Sequence, residues 1–194
     1  MVLAYNLPGH GAEIKLDGAT VADIFLGKVT KWSDGRIAQM NVGTKLPDLA
    51  ITPVYRSDSS GTSYIFTTYL SEVSAAWKSD VGADKSVKWP LGVGGKGSAG
   101  VAAYVKQIPG AIAYVEYSYA RSNDLPTALL KNGAGRFVRP EGATFTAAAA
   151  NARWDAPKGF YLTLTNEPGG KYLADCGREF HPGSGASYRC RQDA

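Results

Sequence analysis

Histidine and cysteine are almost missing, with two of each in 194 residues. His10 and His181 lie far apart, and both cysteines, Cys176 and Cys190, fall within the last 19 residues. A zinc site needs several clustered nitrogen, sulfur or carboxylate ligands, and a Ser-His-Asp triad needs a placed imidazole. Neither can be assembled convincingly here. That counts against most hydrolase chemistries, and no metal, cofactor or catalytic residue is expected. Two thiols in a Gly/Arg/Ser-rich tail could pair, but they say nothing about the compartment of the main body. Long apolar runs are missing too, since nothing approaches the roughly 18 apolar residues of a membrane span. Met1-Val-Leu-Ala-Tyr-Asn6 lacks the charged start, apolar centre and cleavage site of a signal peptide. Net charge is only +4, with lysines and arginines scattered rather than interleaved with aromatics. Nucleic acid is therefore not an expected partner.

What is present suits an ordinary globular chain: 44% hydrophobic and 20% charged residues, enough for one sizeable core or two small ones. The 23 glycines imply many tight turns between short elements. Val2 to Asn6 reads as a strand stopped by Pro8-Gly9. Asp17-Gly-Ala-Thr20 opens a helix with Val21, Ile24 and Phe25 on one face, and Gly27 is placed to end it. A short helix is predicted over Gly35 to Met40, a strand over Ile51 to Arg56, and a helix from there to about Val73. Trp77 to Trp89 reads as a loop-rich excursion anchored by its two aromatics. A helix with Val101, Tyr104 and Val105 on one face follows the glycine-rich stretch. Ala111-Ile-Ala-Tyr-Val-Glu-Tyr117 is the clearest buried strand, Phe137-Val138 an edge strand, and Phe145 to Trp154 an alanine-rich helix. Strands alternating with helices give an α/β protein with a mixed sheet flanked by helices.

Arg56-Ser57-Asp58-Ser59-Ser60-Gly61-Thr62 carries the chemistry. A strand that turns through small hydroxylated residues into a helix leaves the first helical N–H groups without intrahelical partners. Those donors and the helix dipole favour a small oxyanion. Arg56 adds a planar two-pronged donor, and Ser60 and Thr62 add hydroxyls. Asp58 could hold the guanidinium in place or accept a proton from the ligand. The same residue types also favour helix starts whether or not anything binds. Leu91 to Gly100 invites comparison with a phosphate loop, but Gly97 follows Gly95-Lys96 where Ser or Thr belongs, and Pro90 stands where the first glycine should be. A flexible helix start is the better account of that stretch.

Several segments in order resemble the periplasmic phosphate-binding protein of the high-affinity phosphate ABC transporter. They are Leu16 to Gly27, Lys31-Trp-Ser-Asp34, Arg56 to Thr62, Lys88-Trp-Pro90, Gly94-Gly-Lys-Gly97 and Pro109 to Tyr117. The resemblance runs from about Val2 to Pro168. It implies a type II periplasmic-binding-protein-like fold of two α/β lobes joined by hinge strands, with one inorganic phosphate held in the cleft and not chemically changed. It assigns phosphate contact to Arg56, Ser60, Gly61 and Thr62, and gives Asp58 the role of orienting the arginine. It also implies a membrane permease as partner and a periplasmic location. With no signal peptide in view, retention of this copy in the cytoplasm stays open.

Against that pattern the chain is expected to comprise the second lobe, residues 1–168 with a hinge strand at its start, and a disordered or aberrant tail, residues 169–194. Family members carry further phosphate contacts, including a proton-accepting aspartate, in a first-lobe segment that this sequence does not show. At the other end, the family continues with a Trp-Pro-Ile segment and a Phe-Ile-Leu strand. Suitable codons for Tyr172 to Pro182, read one base later, spell Thr-Trp-Pro-Ile-Ala-Gly-Glu-Asn-Phe-Ile-Leu. The outer two bases of each shifted codon are dictated by the protein sequence. The tail thus reads as a frameshift product, with a polar, disordered extension as the alternative.

Inorganic phosphate binding within a transport receptor is the function expected. An enzyme acting on phosphate esters, or a non-functional truncated fragment, are the alternatives. Sulfate has a similar size to phosphate, so discrimination depends on the proton that phosphate still carries at neutral pH. Asp58 is the only acid in the turn, and the resemblance commits it to Arg56. Discrimination therefore cannot be assigned from the sequence.

Overall fold

The computed structural model describes residues 1–145. The helix expected over Phe145 to Trp154, beyond Phe145 itself, the tail at 169–194, both cysteines and His181 lie outside the described residues. Among the described residues seven strands and six helices are named, and the strands fall into two sheets.

The main sheet has four strands: β1 (Val2–Tyr5), β3 (Thr52–Arg56), β4 (Val93–Gly95) and β5 (Ala111–Val115), in the order β1-β5-β3-β4. β3 runs parallel to both β4 and β5, while β1 is antiparallel to β5 with Val2 opposite Val115 and Tyr5 opposite Ile112. All five residues of β5 are buried, as its unbroken apolar run requires of a central strand. β1 is buried along its whole length. Its outer edge is closed by backbone bonds from Tyr5 to Pro126 and from Ala128 to Leu3.

α1 (Gly18–Phe25) starts where predicted, because the Asp17 carboxylate accepts from Thr20 N at 2.8 Å. It stops where Gly27 takes φ +76°, a left-handed conformation that other residues resist. α2 (Gly35–Met40) also matches its prediction. α3 (Gly61–Val73) buries Phe66, Tyr69 and Leu70 against α1 and the sheet. Between them lies an aromatic cluster: Phe66 stacks on Tyr114 at 4.5 Å, and Tyr55 on Trp89 at 5.0 Å. Such pairs contribute about 0.5–1.5 kcal/mol each beyond the area they bury.

Three local expectations need correction. The excursion from Trp77 to Trp89 is not loop throughout, because α4 (Ala75–Asp80) carries Trp77 and is capped by Ser74. The anchoring role holds, since Trp77 and Trp89 meet at 5.8 Å. On α5 (Gly97–Gln107), Val101 and Val105 are buried but Tyr104 points outward, 38% exposed. The strand expected over Ala111 to Tyr117 ends at Val115, and Tyr117 opens α6 (Tyr117–Ser122), after which comes β6 (Leu129–Lys131). β6 pairs with β2 (Lys15–Leu16) and with β7 (Phe137–Val138), which is the predicted edge strand, to make the second sheet.

Candidate functional site

The three parallel strands β3, β4 and β5 end at one edge of the sheet, with Arg56 in register with Gly95. Each runs into a helix: α3 after the turn at 57–60, α5 after Lys96, α6 after Glu116. The carboxyl ends of parallel strands are where α/β sheets bind ligands, because helix N-termini and their free N–H groups converge there. β4 and α5 can approach closely only because Gly95 lacks a side chain. A Cβ there would lie 2.7 Å from Val101 N.

Arg56 is the last residue of β3, and its side chain is only 14% exposed. Its Nε donates to Asp58 Oδ1 at 2.8 Å and its Nη2 to Asp58 Oδ2 at 2.5 Å, a two-pronged ion pair. Asp58 Oδ1 also accepts from Gly97 N at 3.0 Å, which ties the pair to the start of α5. The Arg56 guanidinium, and then the Gly97 N–H, hold the Asp58 carboxyl well below the usual carboxylate range. The same pairing raises Arg56 above its ordinary value. Asp58 is thus ionised with both oxygens engaged, which fits orientation of the guanidinium and not proton acceptance from a ligand. The remaining guanidinium nitrogen, Nη1, donates to Ser98 Oγ at 3.3 Å.

The start of α3 is capped. Ser60 Oγ accepts from Thr62 N at 3.2 Å and from Ser63 N at 3.5 Å. The first N–H groups are therefore not all unpartnered, as the sequence suggested: Ser60 takes two of them. Capping and anion binding are compatible, however. A hydroxyl that accepts still has its own proton to donate, and the Gly61 N–H has no acceptor among the described residues. Thr62 Oγ1 donates to Glu116 Oε1 at 3.3 Å. One turn deeper, buried Ser63 shares a 2.7 Å bond with Tyr114 Oη, which also accepts from Arg56 N at 2.9 Å. Burial pushes the Tyr114 phenol up, so it stays protonated and fixes the backbone of Arg56.

All five residues singled out in the sequence, Arg56, Asp58, Ser60, Gly61 and Thr62, lie in this one turn at the sheet edge. Lys96 is exposed and caps nothing with its side chain, as its place outside a phosphate-loop spacing implied. Its neighbours do join the site: Gly97 through its N–H, and Ser98 between Arg56 and Glu116, whose Oε1 accepts from Ser98 Oγ at 3.4 Å. Ser98, Tyr114 and Glu116 escaped the sequence reading. The available signal for Tyr114 and Glu116 was that they lie in or just after the clearest predicted strand; Ser98 had none, because β4 was not read from the sequence. Among the described residues, no group of three or more His, Cys, Asp or Glu could hold a metal ion.

The family model of the PBP superfamily domain matches residues 1–165. The chain is 56% identical over 165 residues to the phosphate-binding protein PstS of Pasteurella multocida, covering 84% of this chain and 48% of that protein. It is 47% identical over 172 residues to PstS of Haemophilus influenzae, covering 88% and 52%. The crystal structure of a DING protein superposes with a TM-score of 0.64 over 89% of this chain and 52% of that one, at 21% identity. The chain spans about half the length of the curated relatives it matches. It belongs to the PBP superfamily.

Proposed function

We propose that this PBP-superfamily chain binds inorganic phosphate, as the phosphate-contacting lobe of the substrate-binding component of a phosphate ABC transporter. The observation that carries this is Arg56, held two-pronged by Asp58 beside the Ser60-capped start of α3, where the Gly61 N–H has no acceptor among the described residues. Arg56 Nη1, the hydroxyls of Ser60 and Thr62 and the N–H of Gly61 supply donors to one small oxyanion, with Asp58 fixing the guanidinium. The similarity to proteins named PstS supports phosphate as that ion. In this reading residues 1–168 form one lobe, β1 is its hinge strand, and residues 169–194 are an appended tail. The partner is the transporter's membrane permease and the working location is the periplasm. The ion is carried, not converted, so the chain is no enzyme.

Equilibrium dialysis with labelled phosphate tests the site. Arg56→Ala should weaken binding about ten-fold or more, since a charged hydrogen bond of this kind contributes about 1.5–3 kcal/mol. Lys96→Ala should change little. Equal losses would overturn the assignment of the site, and turnover of a chromogenic phosphate ester would overturn the assignment as a carrier.

A further inference from the structure

We infer that Tyr114 is a positioning residue of this site: its hydroxyl ties the end of β3 to the first turn of α3 and so sets how far Arg56 stands from the donors at Ser60, Gly61 and Thr62. The inference rests on the phosphate reading above. Arg56 and those donors belong to different elements, joined by the partly exposed turn at 57–59. Asp58 does not fix their spacing, because it links the guanidinium to Gly97 N at the start of α5. From the first turn of α3, Ser60 N donates to Lys85 O and Thr62 Oγ1 to Glu116 Oε1, and neither bond returns to β3. The tie that does return runs through Tyr114, whose Oη accepts from Arg56 N at 2.9 Å and shares a 2.7 Å bond with Ser63 Oγ.

The sheet makes room for that hydroxyl. β3 is paired with β4 as far as Arg56 opposite Gly95, but with β5 only as far as Val54 opposite Ala113. On the β4 side Ser57 N still reaches Gly95 O at 3.0 Å. On the β5 side the registered pairing has ended, and the Arg56 N–H takes the phenol oxygen as its acceptor. Backbone N–H groups inside a fold are nearly always paired, so the phenol stands where a strand carbonyl otherwise would. Its ring is held in place, 1% exposed and stacked against Phe66 at 4.5 Å and Trp89 at 5.6 Å. A phenol has one proton and two lone pairs, so one oxygen serves strand and helix together. Several donors bind one small ion well only when they are already spaced to its size. A shift of β3 against α3 therefore lowers affinity without removing any donor.

Phosphate titrations of the full chain, followed by NMR on samples shown to be folded, test this. Tyr114→Phe keeps the ring and its packing and removes the tie. It should weaken phosphate binding roughly two- to ten-fold, the range a neutral hydrogen bond spans, with every proposed phosphate donor still in place. Ser63→Ala cuts the same tie from the helix side and should give a similar loss. The double variant should lose no more than either alone. Tyr5→Phe removes another buried hydroxyl, which donates to Ala12 O at 3.4 Å away from the turn, and should keep the parent affinity whatever it does to Tm. Parent affinity in folded Tyr114→Phe would overturn the inference. So would losses that add in full in the double variant, or an equal loss in Tyr5→Phe, since a general loosening of the core predicts both. Should Tyr114→Phe fail to fold, parent affinity in Ser63→Ala would overturn it equally. An unaltered chain that binds no phosphate would overturn the phosphate reading itself, and this inference with it.

Discussion

At the scale of single residues, Asp58 anchors the turn. Its two oxygens are occupied by Arg56 and Gly97, so it holds the Arg56 guanidinium in place, and in the proposed function that guanidinium is the ligand donor. That engagement has a pH signature. The folded-state carboxyl lies below its ordinary value of 3.8. A depressed acid contributes stability that is fully present above the unfolded pKa and is lost as pH falls through the folded one. Urea denaturation of Asp58→Asn should show the variant less stable than the parent at pH 7. The gap should narrow as the pH falls below 3.8. A gap constant into strong acid would show that the ion pair does not stabilise the fold. Arg56 and Asp58 were legible in the sequence because they stand two apart, within one turn. Glu116 was not, because it lies 54 residues from Thr62 and meets it only once β5 is laid beside β3.

Among the elements, α3 has one residue to which the proposed function gives two purposes. Ser60 caps the helix with its oxygen, and in that proposal its own proton is donated to the anion. Ser60→Ala should cost about 1 kcal/mol of stability, a drop of roughly 2–4 °C in Tm for a domain of this size. Ser60→Asp should restore the cap and keep Tm near the parent value, yet abolish phosphate binding by placing a carboxylate where the ion sits. Unchanged stability in the alanine variant would remove the cap from the account, and retained binding in the aspartate variant would remove the ligand contact. Elements with strong local signals were readable: α1 between Asp17 and Gly27, and β5 with five consecutive buried residues. β2, β4 and β6 were harder because strands of two or three residues have no periodicity to see, although the edge strand Phe137-Val138 was read. α4 hides for the same reason, and only Ser74 before Trp77 hinted at its start. Tyr104 follows the helical spacing of Val101 and Val105, but an amphipathic phenol can sit at the rim of a core with its ring half in water.

For the whole molecule, the order β1-β5-β3-β4 brings the ends of β3, β4 and β5 together, so the starts of α3, α5 and α6, with the Arg56 guanidinium and the Glu116 carboxylate, meet at one sheet edge. No single segment predicts this, although the rule that parallel sheets bind at their carboxyl edge does. The chain spans about half the length of its PstS relatives. In the proposed site an anion meets one guanidinium, two hydroxyls and one N–H, each in competition with water and screened by salt. A dissociation constant on the order of millimolar, roughly −4 kcal/mol, is the expected affinity. The measurement that tests the central claim most directly is a phosphate titration of the isotope-labelled full chain, followed by amide and arginine side-chain NMR shifts at low and high salt. The account predicts saturable shifts, with a midpoint near millimolar that weakens as salt rises, at Gly61 N–H, Thr62 N–H, Gly97 N–H and Arg56 Nε–H. Shifts confined to residues away from this turn, such as Lys96 or Arg139, or no saturable shift at low salt, would contradict it.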